Sequence, residues 1–350
     1  MAICRGGQSV AQKVKLSTIG ESLGVSTATV SLALRDSPLV AEATREKVKA
    51  HALEMGYIYN RRAASLRTSK SGILGVVVHD IMNPFYGEIL RAIEMELDRS
   101  RQTFILSNHY DRVEKQRDFL ETLMQLGADG VIMSPAIDTP ASDMELLQKN
   151  GLPTVLIARS VPEADLPVFR GDDKFGISLA TNHLISLGHK RIAMVGGTDK
   201  TSTGRDRYEG YVEAMHKAGL EVKDEWRIIG PRTKAAGFEA AGQFLALPDK
   251  PTAAVCWNDL AAIGLMSGIA RAGLRPGIDV SVTGYDDLEE ASIATPALTT
   301  VHNGQPEVGR LAARAMLDRI EGKQSTHGEL TLIKPELHIR QSTSKVVERI

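Results

Sequence analysis

The sequence predicts an α/β body of two doubly wound, parallel-sheet lobes behind a small all-α head. Two observations carry this. From Ile73 onward, short β-branched runs alternate with amphipathic helical stretches: "ILGVVV", "TFILSN", "GVIMSP" and "PTVLIA", then "RIAMVGG", "WRIIG", "AAVCWND" and "VSVTGY". These runs lack the apolar–polar alternation of a half-exposed strand, which marks parallel strands buried on both faces. They are too many for one small sheet, so two similar lobes are expected, with any ligand cleft at the strand carboxyl ends. The second observation is a change of texture before Ile73, where the pattern is purely helical.

The head reads as three short helices after a disordered leader over residues 1–13. The first covers Ser17 to Leu23, with Ile19 and Leu23 on one face. Gly24 follows where a left-handed turn suits it. Ser26 is a good N-cap for the second, whose buried side would be Val30, Ala33 and Leu34. A third helix from Glu42 to Met55 would bury Val48, Ala52 and Met55. Two helices joined by a tight glycine turn form a helix-turn-helix, whose second helix fits the DNA major groove. Its outer face carries Thr27, Ala28, Ser31 and Leu32, and hydroxyls at Ser26, Thr29 and Ser31 can bond phosphates. A core helical hairpin with incidental hydroxyls has the same spacing. In "NRRAASLRTSKSG", residues 60–72, Asn60 can cap a helical turn from Arg61 to Arg67, and Thr68 to Gly72 reads as a linker.

Composition narrows the class. The 350 residues are 43% hydrophobic and 24% charged, as in ordinary globular chains of more than one domain. Cys4 and Cys256 lie far apart and suggest neither a disulfide framework nor a metal site. No apolar run reaches about 18 residues and no signal peptide is visible, so a cytoplasmic protein with no membrane partner is expected. Residues 1–70 hold 11 Lys and Arg against 5 Asp and Glu, the remainder 31 against 38. A basic head on an acidic body suits a polyanion partner, although a solvated basic face would look the same. Enzyme signatures are missing: "GGTDKTSTG" has neither G-x-G-x-x-G spacing nor a phosphate-loop lysine, and there is no H-E-x-x-H or G-x-S-x-G. Adjacent Asp172 and Asp173 diverge on either helix or strand and make a poor acid–base pair. No cofactor is expected.

From about Val14 to Ser344 the chain resembles the LacI/GalR family of bacterial transcriptional repressors. "VSTATVSLAL" is similar to that family's recognition helix, and "ATREKVKAHALEMGYIYNRRAASLR" to its third helix and hinge helix. "GILGVVVHDIMNPFYGEIL", "LGADGVIMSPA", "HLISLGHKRIAMVGG", "GRDRYEGY", "WNDLAAIGLM" and "VSVTGYDDLEEASIATPALTTV" follow in the family's order. The resemblance implies a DNA-binding head over 14–59, a hinge helix and linker over 60–71, and a two-lobed effector-binding and dimerisation body over 72–344. Its N-lobe would hold about 72–160 and 302–328, its C-lobe about 161–301 and 329–344. It implies a homodimeric regulator, more a repressor than an activator, that binds a palindromic double-stranded DNA operator under the control of a small molecule. A solute-binding protein or sugar sensor built on the same body is the alternative.

By the same resemblance Thr27, Ala28 and Leu32 meet base edges. Leu32 stands where many members carry Arg; it cannot read guanine but can press on a thymine methyl, and is expected to be exposed. Leu66 is expected to wedge into the minor groove, with Asn60 and Ala63 also on the DNA and Arg61, Arg62 and Arg67 near phosphates. Tyr59 replaces a usual proline, Thr18 a usual aspartate and Gly20 a usual alanine, the last at about 1 kcal/mol of helix propensity.

"HDIMNPFYGE" follows the first strand, so His79, Asp80, Asn83, Phe85 and Tyr86 should reach the cleft. Phe85 could stack on a ligand or fill the core. The family grips its effector through the position of Arg207, with Thr203 close by, and Asn258, Asp286 and Asn303 are expected to contact it too. Ala158 stands where many members place an acid, with Arg159 next, and Arg232 where an aromatic is common. Three arginines in the cleft would suit a sugar acid or sugar phosphate. If two of them lie on the rim in water, a neutral sugar or nucleoside fits equally.

Overall fold

The computed structural model describes residues 14–58, 70–100, 102–230, 232–323 and 328–346. The chain divides into two compact units at Ser71/Gly72.

The head holds α1 (Leu16–Leu23), α2 (Thr27–Ala33) and α3 (Glu42–Glu54). Ile19, Val30, Ala33, Val40, Val48 and Ala52 form its small core. Gly24 ends α1 with φ 67°, a left-handed position that favours glycine. Ser26 caps α2, its hydroxyl accepting the Thr29 N–H at 3.0 Å. Gly20 is buried where α1 meets the turn, and a Cβ there would lie 2.7 Å from the Val25 carbonyl oxygen. Tight packing, and not helix propensity, governs this position.

The body contains β1 (Ile73–Val78), α4 (Pro84–Asp98), β2 (Thr103–Asn108), α5 (Val113–Leu126), β3 (Gly130–Met133), α6 (Ala141–Lys149), β4 (Thr154–Ile157) and β5 (Val168–Gly171). It continues with α7 (Asp173–Ser186), β6 (Ile192–Val195), α8 (Ser202–Lys217), β7 (Arg227–Ile228), α9 (Lys234–Ala246), β8 (Ala253–Cys256), α10 (Asp259–Arg271) and β9 (Ser281–Thr283). It ends with α11 (Glu289–Ile293), β10 (Thr300–His302), α12 (Gln305–Ile320), β11 (Leu330–Ile333) and β12 (Glu336–His338).

Two parallel sheets carry the lobes, in the orders β11-β5-β4-β3-β1-β2 and β7-β6-β8-β9. The central strands are buried on both faces, as the unalternating runs predict, while the edge strands β2 and β11 leave Ile105, Leu330 and Leu332 exposed. Leu74, Val76 and Val78 pack under α4 and α12, while Val77 on the other face packs with Leu120, Leu123 and Met144. In the second lobe Ala193 and Val195 face α9 and α10, and Ile192 and Met194 face α7 and α8. An antiparallel pair, β10–β12, completes the second lobe.

The expected lobe boundaries at 160/161 and 328/329 are corrected. β5 pairs with β4 and β11 with β5, so the first lobe runs to Gly171 and reclaims 304–333. "VFRG" carries an arginine and "LTLI" is broken by a threonine with its leucines exposed, so neither shows the buried apolar run of β1, β3 or β6. The segment after β12 is sewn onto the second lobe: the Val282 N–H donates to Ser342 O at 2.8 Å and the Val346 N–H to Leu187 O at 3.0 Å. Among the described residues no helix is long and apolar enough to cross a membrane. The expected leader, residues 1–13, lies outside the described residues.

Gly20→Ala gains about 1 kcal/mol of helix propensity and meets a backbone carbonyl that cannot swing away. The expected outcome is a net loss of head stability, read as faster amide hydrogen exchange in α1 and α2 of the full chain.

Candidate functional site

On α2, Thr27 and Ala28 are exposed, together with the capping Ser26. The Ser26 and Thr29 hydroxyls bond each other at 2.9 Å, with Thr29 half-buried. Two expectations change here. Ser31 is buried at 8% exposure and is no surface hydroxyl. Leu32 is half-buried against the head core, not fully exposed. Asn60, Arg61, Ala63 and Leu66, with Tyr59, Arg62 and Arg67, lie outside the described residues.

In the body a cleft of about 730 Å³ opens between the two sheets. It is lined by the segments that leave the carboxyl ends of β1, β4, β5, β8 and β9, as doubly wound sheets require. All twelve residues expected there line it: His79, Asp80, Asn83, Phe85, Tyr86, Arg159, Thr203, Arg207, Arg232, Asn258, Asp286 and Asn303. Several already hold structural bonds. Asn83 caps α4 through the Phe85 N–H at 3.1 Å, and Asp80 accepts the Met82 N–H at 3.0 Å. Asn258 caps α10 through the Ala261 N–H at 2.9 Å and donates to Arg232 O at 3.2 Å. Thr203 and Thr201 share a bond of 3.2 Å. Phe85 packs against the core and also lines the cleft. The Tyr86 hydroxyl joins His79 Nδ1 at 2.8 Å and Ser134 Oγ at 2.9 Å. Burial first, and then the Arg159 charge, lowers His79 to about 3, so it adds no charge at neutral pH.

At the centre Arg207 is 5% exposed. Its Nε donates to Asp173 Oδ1 at 2.7 Å and its Nη1 to Trp257 O at 2.5 Å. The guanidinium lies 3.8 Å from the Tyr285 ring centroid and 4.5 Å from that of Trp257. Arg170, 3.3 Å from Asp173 Oδ2, completes the cluster.

Asp286 differs from its neighbours. Its backbone is held at φ 105°. Among the described residues its carboxylate has only a 3.4 Å contact from Asn303 Nδ2 and a 3.8 Å approach to Arg207 Nη2. Burial, aided by the Asp173 charge and opposed by Arg207 and Asn303, pushes it up to about 7. Asn303 Oδ1 is buried without a partner among the described residues. The next residue, Asp287, turns away to Arg340 at 2.7 Å and His338 at 2.8 Å. The cleft thus offers two buried acceptors that a donor-rich ligand would satisfy.

The arginines fit neither simple expectation. All three line the cleft, yet Arg159 donates to Asp111 Oδ1 at 2.5 Å, and Arg232 reaches Asp111 Oδ2 at 3.4 Å from the other lobe. Asp111, Tyr110, Arg170, Asp173 and Trp257 also line the cleft and were not singled out for it from the sequence. Asp111 follows β2, so the rule applied to β1 would have found it; Arg170 and Asp173 hide behind the unrecognised β5.

Comparison with known proteins places this architecture. The model for bacterial regulatory proteins of the lacI family matches residues 16–60, and that for a periplasmic binding protein-like domain matches 181–343. The HTH-type transcriptional repressor PurR of Photobacterium profundum is 34% identical over 326 residues, 93% of this chain and 97% of that protein. The chain belongs to the LacI family. It is a DNA-binding transcriptional regulator and not an enzyme. The ribose operon repressor of Escherichia coli (strain K12) is 34% identical over 85% of this chain and 90% of its own. The lac repressor dimer bound to operator and the anti-inducer ONPF superposes with TM-score 0.84 at 27% identity, covering 95% of this chain and all of that one.

Asp173 is 2% exposed and compensates two guanidinium groups. Asp173→Ala leaves Arg207 buried and under-paired, while Arg170 keeps Asp206 at 2.5 Å, and is expected to cost about 3–5 kcal/mol. Urea unfolding of the full chain measures it.

Proposed function

We propose that this LacI-family protein is a cytoplasmic, homodimeric repressor whose cleft binds a hydroxyl-rich small molecule, and that this molecule sets its affinity for a palindromic operator. The observation that carries the reading is the pair of buried acceptors, Asp286 and Asn303 Oδ1, in a cleft of effector size. Ligand hydroxyls would complete both, beside the rigidly held Arg207. Asn258, Thr203, Asn83, Asp80, Phe85 and His79 shape the remaining wall, while Tyr86 acts from behind through His79. The relatives' names give the chemical range: one is a ribose operon repressor, and the lac repressor was seen with ONPF.

On DNA, Thr27 and Ala28 would read base edges, with Leu32 applying its exposed side to a thymine methyl. Ser26 and Thr29 lie at the helix start, where hydroxyls and backbone N–H groups meet phosphate. Asn60, Arg61 and Ala63 would flank Leu66, a wedge at the central step. Effector and operator then communicate by binding one lobe arrangement better than the other; the energy available is the difference in affinity.

Selection from a random duplex library, with and without a panel of sugars and nucleosides, tests the reading. The expected result is a palindrome whose affinity falls steeply with salt and shifts with one compound. No enriched sequence would contradict it. Asp286→Asn is expected to abolish the compound's effect. It should also raise the melting temperature of the free protein above pH 7, where wild type carries a buried carboxylate. Leu66→Ala should weaken operator binding far more than non-specific binding; equal losses would refute the wedge.

A further inference from the structure

We infer that Asp111 is a specificity-determining residue of the cleft, engaging both Arg159 and Arg232 in ion pairs so that the effector it admits is uncharged. The inference rests on the cleft being the effector site and names the class of molecule it takes.

Asp111 is built for this position. It sits at φ 58° after Tyr110 at φ 53°, two consecutive left-handed residues that carry no glycine. The turn is pinned from behind: the Tyr110 N–H donates to His79 O at 2.9 Å, and the Asp111 N–H to His109 Nδ1 at 3.0 Å. His109 is fully buried and gives its other ring N–H to Ser134 O at 2.9 Å, which fixes the neutral tautomer that accepts from Asp111. Strain held by that many bonds at a cleft is a mark of function.

Arg159 is aimed in the same way. Ala158 adopts φ 60°, and the Arg159 N–H closes a tight turn onto Ile157 O at 2.6 Å. The side chain then meets Asp111 at 2.5 Å and Pro135 O at 3.0 Å. Burial works against the Asp111 carboxylate, but the Arg159 bond and charge outweigh it and hold it at about 2, ionised at any working pH. Every lysine and arginine lining the cleft has a carboxylate within salt-bridge range: Arg170 and Arg207 share Asp173, and Lys234 meets Glu290 at 3.2 Å. An incoming carboxylate or phosphate would find no uncommitted cation, and would meet Asp111 and Asp286 in a desolvated space. A neutral polyol meets no such repulsion.

The test compares wild type with Asp111→Asn by calorimetry, using inorganic phosphate as the anionic probe. The asparagine keeps the acceptor for the Ile137 N–H, 3.3 Å away, removes the charge, and replaces the oxygen that accepts from Arg232 with a donor. The variant is expected to bind phosphate at least tenfold more tightly than wild type. Adding Arg232→Gln to the variant should take that gain away. Equal phosphate affinity in wild type and Asp111→Asn would overturn the inference, whatever the effector is. If the variant does not fold, wild type alone decides on ribose against ribose 5-phosphate. Preference for the sugar supports the inference, and equal or tighter binding of the phosphate overturns it. Failure of the cleft reading itself is separate: it would appear as an undiminished effector response in Asp286→Asn.

Discussion

The site depends on one buried ion pair. Arg207 and Asp173 come from neighbouring helices, α8 and α7, and the same guanidinium bonds the carbonyl of Trp257 at the end of β8 and lies against Tyr285 beyond β9. One side chain thereby fixes four segments of the second lobe at the mouth of the cleft. Such a pair adds little to stability over an apolar substitute of the same shape, because desolvating two charges costs nearly what their attraction returns. What it provides is position. Only with Arg207 committed to Asp173 does Asp286 stay under-paired, and the under-paired carboxylate is the group a ligand can complete.

The sheets set the stage for this. Strands buried on both faces leave polar side chains nowhere to go except the strand ends, so the hydrogen-bonding groups collect at the carboxyl edge of each sheet. Two such edges face each other across the cleft. Around it stand Tyr110, Asp111, Ala158 and Asp286, all with positive φ and none glycine. Bonds from Tyr110 to His79, from Ala158 to Phe169 and from Asp286 to Val301 tie this strained backbone to the strands or their ends. The rigid sheets hold what the loops alone would not.

Much of this was legible in the sequence. The unalternating runs after Ile73 announced buried parallel strands, and the carboxyl-end rule, with the family resemblance, placed twelve residues that all line the cleft. Two strands, β5 and β11, escaped because an arginine interrupts the first and a threonine the second, whose leucines are exposed, and the lobe boundaries moved with them. On α2, spacing assigned faces correctly for Val30 and Ala33 but not for Ser31, since seven residues make too short a helix for a small core to leave one whole face exposed. The deepest gap was charge. Sequence supplies the arginines, but their pairing with Asp111 and Asp173 is a long-range outcome of folding that no local spacing encodes.

Asp286 is the centre of this picture: an under-paired acceptor, its proton affinity raised by burial, that the effector completes. Ligand hydroxyls donate to the carboxylate and so lower its proton affinity; binding must then expel the proton it carries, and affinity must fall as pH drops below about 7. Calorimetry of the compound that shifts operator binding, run at pH 7 in buffers of different ionisation enthalpy, counts that proton. The predicted result is net proton release on binding, absent in Asp286→Asn. No buffer dependence in wild type would contradict it.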